Sequence, residues 1–290
     1  MGRFVRRCRL VKSYKNIYDV SLEYLSRKTS KTNAKSDVIA LMEHSFKRTY
    51  SYFLTWPEKC PSNEDILIFN KCLNRRYFGE PIAYIKGYKE FWSNNFKVTR
   101  NTLIPRPETE LMIENILATY DKESNLSILD LGTGSGVIGI TLGKELPNSN
   151  ITCVDLSKDS LDVASQNALD LNVNNIKFIQ SNWFKYVRGK YDIIVSNPPY
   201  IAHNDEHLKQ GDVTFEPLTA LVSEEDGLQD IYQIIGNAHL YLKDRGLLAF
   251  EHGYNQAPKV RECLKRYRYK GILTIRDYAG CERITLGYFS

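Results

Sequence analysis

Ser127-Ile128-Leu129-Asp130-Leu131-Gly132-Thr133-Gly134-Ser135-Gly136 is a short apolar run that breaks into alternating glycines. The run Ser127–Leu131 reads as a buried strand, and the glycines read as a tight turn that opens a helix. Glycine lets backbone approach a ligand closely, so the turn is a candidate binding loop. Two ligands suit it. Gly134, Gly136 and Gly139 have the G-x-G-x-x-G spacing of dinucleotide sites, with Asp155 about twenty residues on. Asp-x-Gly-x-Gly-x-Gly is also the usual form of an S-adenosylmethionine loop, in which an acid ending the second strand takes the ribose hydroxyls. The loop alone leaves the two open, together with a purely structural turn.

Outward from this stretch, strands and helices alternate. Strand-like runs are Ser127–Leu131, Asn150–Val154, Ile176–Gln180, Tyr191–Val195, Leu247–Phe250, Ile272–Ile275 and Arg283–Leu286. Helical spacing of apolar residues recurs at 136–146, 157–172, 228–243 and 255–267. The pattern predicts an α/β fold, a seven-stranded and mostly parallel Rossmann-like sheet with helices on both faces. The last two strands are joined around Asp277-Tyr278-Ala279-Gly280, too short for a parallel crossover, so they are expected to pair antiparallel.

The fourth strand runs into Asp192-Ile193-Ile194-Val195-Ser196-Asn197-Pro198-Pro199-Tyr200. Two prolines end the ladder and hold the chain extended. The Asn197 carboxamide, the Pro198 carbonyl and the Tyr200 ring are thereby set at a strand's carboxyl end, where α/β sheets bind ligands. The Asn oxygen and a backbone carbonyl can each accept one N–H of a planar –NH2 group, and the ring can stack on its flat face. A capped surface turn would use the same residues. Hydride transfer has no use for a grip on –NH2, whereas methyl transfer to an amide or exocyclic amine does. Both motifs together therefore favour S-adenosylmethionine.

Upstream, residues 17–80 carry helical spacing. Ser36-Asp37 is a candidate cap for a helix bearing Val38, Leu41, Met42 and Phe46, and Pro61-Ser62-Asn63 starts another. Tyr84, Ile85, Tyr88, Phe91, Trp92, Phe96 and Val98 favour strand, with Ser93-Asn94-Asn95 as a turn. The resulting division is a basic extension over 1–16, a helical domain over 17–81, a β-hairpin linker over 82–104 and a catalytic domain over 105–290. Trp92 reads as hairpin packing.

The 290 residues are 42% hydrophobic and 12% aromatic, ample for a core. Six cysteines are scattered without a Cys-x-x-Cys pair, and the five histidines show no metal spacing, so no metal is expected. No apolar run is long enough to span a bilayer. Residues 1–35 hold ten Lys/Arg against two acids, a net of +8; with the total at +5, the rest sums to −3. The body thus lacks the basic balance of a nucleic-acid binder, and no stable nucleic-acid partner is expected. The N-terminus has no apolar signal core and reads as a solvated basic extension.

The chain resembles the bacterial peptide-chain release factor glutamine N5-methyltransferases over roughly residues 17–290. The likeness rests on Gly79-Glu80-Pro81-Ile82-Ala83-Tyr84, Glu90-Phe91-Trp92, Leu103-Ile104-Pro105-Arg106-Pro107-Glu108-Thr109-Glu110, Asp130 to Gly136, Asn197 to Tyr200, Gln210-Gly211-Asp212-Val213, Phe215-Glu216-Pro217 and Glu251-His252-Gly253. The resemblance implies methylation of the glutamine in the Gly-Gly-Gln loop of class I release factors, with residues 17–81 recognising the substrate. It implies that Gly132, Thr133, Gly134, Ser135, Gly136, Asp155, Asn182, Trp183 and Asn197 line the S-adenosylmethionine site. Asn197, Pro198, Pro199 and Tyr200 would hold the glutamine, with Asn197 and Pro198 the catalytic pair. Asn182 departs from the pattern, since relatives usually carry an acid there. The bacterial cytoplasm is the expected location; the alternative is a mitochondrial relative with an N-terminal leader. The main rival activity is adenine N6-methylation of DNA or RNA, which would share both motifs. A cofactor-binding scaffold would have no use for Asn197 to Tyr200.

Overall fold

A computed structural model describes residues 13–290. The described residues form two compact units, which divide between Gly87 and Tyr88. Residues 1–12, most of the basic extension, lie outside the described residues.

The first unit is helical, with α1 (Tyr14–Leu25), α2 (Lys31–Phe46), α3 (Tyr50–Thr55), α4 (Asn63–Tyr77) and α5 (Ile82–Lys86). Leu25, Ala34, Val38, Leu41, Met42, Phe69 and Leu73 form its core. Three helices start on a serine whose hydroxyl accepts a backbone N–H three residues on: Ser13, Ser30 and Ser62. Two expectations are corrected here. The second helix begins at Lys31 on Ser30, one and a half turns before Ser36-Asp37. Asp37 lies inside it and binds the Arg76 guanidinium at 2.7 Å. Ser13 caps a helix starting at Tyr14, so structure begins within the span read as an extension. The Gly79-Glu80-Pro81 segment links α4 to α5, with Arg75 bound through two nitrogens to the buried Glu80 carboxylate at 2.7 and 2.9 Å.

In the second unit, β1 (Tyr88–Phe91) and β2 (Asn94–Lys97) form a tight hairpin. It is shorter than the 82–104 expected, because Ile82–Lys86 is helical. The turn is Trp92-Ser93, both at positive φ, and Asn94 and Asn95 belong to the strand. Trp92 packs as expected: its backbone N–H donates to Glu110 at 2.8 Å and its ring N–H to Glu145 at 3.0 Å.

The main sheet contains β3 (Ser127–Leu131), β4 (Asn150–Asp155), β5 (Ile176–Gln180), β6 (Tyr191–Ser196), β9 (Leu242–Glu251), β10 (Lys270–Arg276) and β11 (Glu282–Tyr288). Their order is β10-β11-β9-β6-β3-β4-β5, and all pairs are parallel except those of β11. The short link at residues 277–281 makes the expected antiparallel pair. A separate two-stranded ladder joins β7 (Ile201–Ala202) to β8 (Val222–Ser223).

Strand residues alternate between two cores. Ile128, Ile193 and Val195 pack with α6 (Glu110–Thr119), α7 (Val137–Glu145) and α8 (Lys158–Asp170). Leu129, Leu131 and Ile194 pack with α9 (Gln229–Ala238) and α10 (Ala257–Arg266). Burial on both faces is why these strands read as continuous apolar runs. Chain order reverses between β3 and β6, whose ends lie in register at Leu131 and Ser196. Ligands bind α/β sheets at such a reversal, and both glycine loop and Asn-Pro-Pro-Tyr leave the sheet there.

Candidate active site

Beyond the ends of β3, β4 and β6 lies a cleft of about 510 Å³. Gly132, Thr133, Gly134, Ser135, Asp155, Asn182, Trp183, Asn197 and Pro199 line it. Gly136, Pro198 and Tyr200 do not. Gly136 instead caps α7 at φ +86°, where an added Cβ would fall 2.5 Å from Ile140. Pro198 is buried, and the Tyr200 hydroxyl donates to Glu251 at 3.0 Å.

The loop after β3 is tied down from below. Asp130 is wholly buried, and one of its oxygens accepts from the Thr133 hydroxyl at 2.6 Å and the Gly139 N–H at 3.0 Å. Burial pushes its carboxyl up to about 6, against the pull of those two donors. Gly134 stands at φ +56° with no atom within 4 Å of the place a Cβ would take, so the loop is bare toward the cleft. A Cβ on Gly132 would meet the Trp183 ring at 3.4 Å. The Trp183 ring N–H donates to Asp230 at 3.1 Å, and both line the cleft.

Asp155 ends β4. One oxygen accepts from the Gly134 N–H at 2.9 Å and the other from the Ser157 N–H at 2.8 Å. Each oxygen keeps a lone pair for a further donor. Burial raises its pKa and the backbone donors oppose the rise. The exposed Asn182 sits on the cleft wall beside Trp183.

Asn197 is held by its nitrogen. Nδ2 donates to Glu251 Oε2 at 3.0 Å and to the Thr109 hydroxyl at 3.2 Å. Oδ1 is buried and has no hydrogen-bond partner. An unpartnered buried acceptor costs about 1–3 kcal/mol, and at a cleft wall it marks a place for a donor from a ligand. Glu251 is itself buried, and burial raises its pKa against the pull of Thr109 and Tyr200.

Three partnerships were not legible from the sequence. Thr109 and Glu251 serve Asn197, and Asp230 serves Trp183. A fourth joins the two most distinctive segments: Arg106 binds the Glu216 carboxylate through one nitrogen at 2.7 and 2.8 Å. Each pair is 47 to 110 residues apart, beyond any local pattern. Thr109, Glu216 and Glu251 did fall within segments quoted for the resemblance. Both ring nitrogens of His252 are engaged, lying 2.8 Å from the Thr285 hydroxyl and 2.9 Å from the Gly253 carbonyl.

The fold and the two strand-end motifs define a class I methyltransferase. Residues 107–219 match the family described as Methyltransferase small domain, and residues 23–87 match the PrmC N-terminal domain. A solved methyltransferase from Pyrococcus furiosus shares the fold, with a TM-score of 0.52 at 17% identity over 76% of this chain and 98% of that one. Release factor glutamine methyltransferase of Aliivibrio fischeri is 46% identical over 87% of this chain and 89% of its own. That of Haemophilus influenzae is 41% identical over 96% of this chain and 99% of its own. The chain belongs to the release factor glutamine methyltransferase family. Among the described residues, no helix is long and apolar enough to cross a membrane.

Proposed function

We propose that this enzyme moves a methyl group from S-adenosylmethionine to the side-chain amide nitrogen of the glutamine in the Gly-Gly-Gln motif of class I release factors. The observation that carries the reading is Asn197, a residue of the cleft wall whose two N–H groups are engaged and whose buried oxygen has no partner. The family relationship supports the same substrate.

The cleft residues fit the methyl donor. The bare Gly132–Gly134 backbone leaves room for its amino-acid part and ribose, Asp155 retains acceptor capacity for two ribose hydroxyls, and Trp183 with Asn182 offers a wall for the adenine. Bound there, the donor supplies an electrophilic methyl on a positively charged sulfur.

An amide nitrogen is a poor nucleophile because its lone pair is shared with the carbonyl. Asn197 Oδ1 takes one N–H of the glutamine and the Pro198 carbonyl takes the other, which holds the nitrogen still and favours a pyramidal geometry. Positioning of this kind supplies much of the rate, and the two acceptors stabilise the positive charge developing on nitrogen. The methylated nitrogen then gives one proton to solvent. The test is transfer of labelled methyl to purified release factor, DNA and ribosomal RNA in parallel. Label on the release factor glutamine is expected, and label on adenine alone would overturn the reading.

A further inference from the structure

Glu251 ends β9, the strand beside β6, and sits in the Glu251-His252-Gly253 segment. It does not line the cleft, and three donors converge on it. Thr109 and Asn197 reach Oε2 at 2.6 and 3.0 Å, and the Tyr200 hydroxyl reaches Oε1 at 3.0 Å. A carboxylate only accepts, so it dictates the direction of every bond around it. Thr109 spends its proton on Glu251 and offers its lone pair to the second N–H of Asn197. Turning the Asn197 amide over would set its oxygen against a carboxylate oxygen and a hydroxyl with no proton left. The amide is thus locked in one sense, with Oδ1 as its free atom.

We propose that Glu251, with Thr109, is the positioning residue that fixes the sense of the Asn197 amide and so presents Oδ1 to the substrate –NH2. This assignment rests on the function proposed above and deepens it. Its consequence is specific to direction: position 197 needs an acceptor toward the cleft and a donor toward 251.

The test exchanges the two partners. Asn197→Asp sets two carboxylates about 3 Å apart and is expected to leave under 1% of wild-type single-turnover methylation of a release factor. Glu251→Gln keeps an oxygen toward Asn197, with its –NH2 toward the Tyr200 oxygen, and is expected to retain more than 10%. The double variant restores a donor at 251 for the acid at 197. It is expected to recover at least tenfold over Asn197→Asp, a coupling that a merely structural residue would not produce. Thermal melts read the same contact without substrate: Asn197→Asp lowers Tm, and adding Glu251→Gln raises it again. A folded double variant no better than Asn197→Asp in either readout would overturn the assignment, as would near-wild-type turnover by Asn197→Asp alone. If the melts show the coupling while wild-type protein fails to methylate a release factor, the positioning role stands and the substrate falls.

Discussion

Asp155 binds two backbone N–H groups and still faces the cleft with acceptor capacity. Charge-assisted hydrogen bonds contribute roughly 1.5–3 kcal/mol each. Asp155→Ala is therefore expected to raise the S-adenosylmethionine dissociation constant at least tenfold by calorimetry, and an unchanged constant in folded protein would remove Asp155 from the site. Asp130 makes a second prediction, on pH. Its folded-state carboxyl titrates near 6 against an ordinary 3.8, so between those values the native state holds more protons than the unfolded one. The stability it contributes is full below the lower value and is lost as pH rises to about 6. At about 1.36 kcal/mol per pH unit the loss is on the order of 3 kcal/mol. Asp130→Asn should flatten urea-unfolding stability between pH 4 and 6 relative to wild type, and an identical slope in both proteins would refute this. Asp155 and Asn197 were legible in the sequence because each ends a strand whose pattern is plain. Thr109, Asp230 and Glu251 were not, since each matters through a partner that only the folded chain brings near.

Between elements, the bond that ties the Pro105-Arg106-Pro107 loop to the Phe215-Glu216-Pro217 loop is Arg106–Glu216. The Glu216 side chain is fully buried and is ion-paired with Arg106. Breaking a buried pair from one side strands a charge, at a cost of about 3–5 kcal/mol. Arg106→Ala is expected to destabilise the protein by about 3 kcal/mol in urea unfolding, with partial recovery on adding Glu216→Gln. A loss below about 1 kcal/mol would show the pair to be dispensable. Helix ends were read less well than helix bodies. Ser30 and Ser36 are equally good caps by residue type; in the fold the Ser30 hydroxyl takes the cap bond, and Ala34, ahead of Ser36, is buried in the helical core. The hairpin turn misled for a similar reason. Asn-Asn is the better left-handed pair, yet Trp92-Ser93 takes that conformation, with Trp92 held by Glu110 and Glu145.

At the scale of the whole molecule, sheet order is what makes a site from two distant motifs. The reversal between β3 and β6 brings residues 132–136 and 197–200 off neighbouring strands. The alternation of strands and helices pointed to a mostly parallel sheet, whereas the adjacency of β3 and β6, the depth of the cleft and the sense of the Asn197 amide were not legible in it. The central claim is that Asn197 Oδ1 selects and orients the amide that is methylated. Losing one preorganised contact of this kind costs about 10²–10³ in rate. Asn197 lies past the end of its strand, so its truncation opens no strand-core cavity. The most direct measurement is single-turnover methylation of a release factor by Asn197→Ala, with thermal melts and cofactor binding as controls. The account predicts a fall of about 10²–10³ in rate with fold and cofactor affinity kept. Wild-type rates in the alanine variant would contradict it.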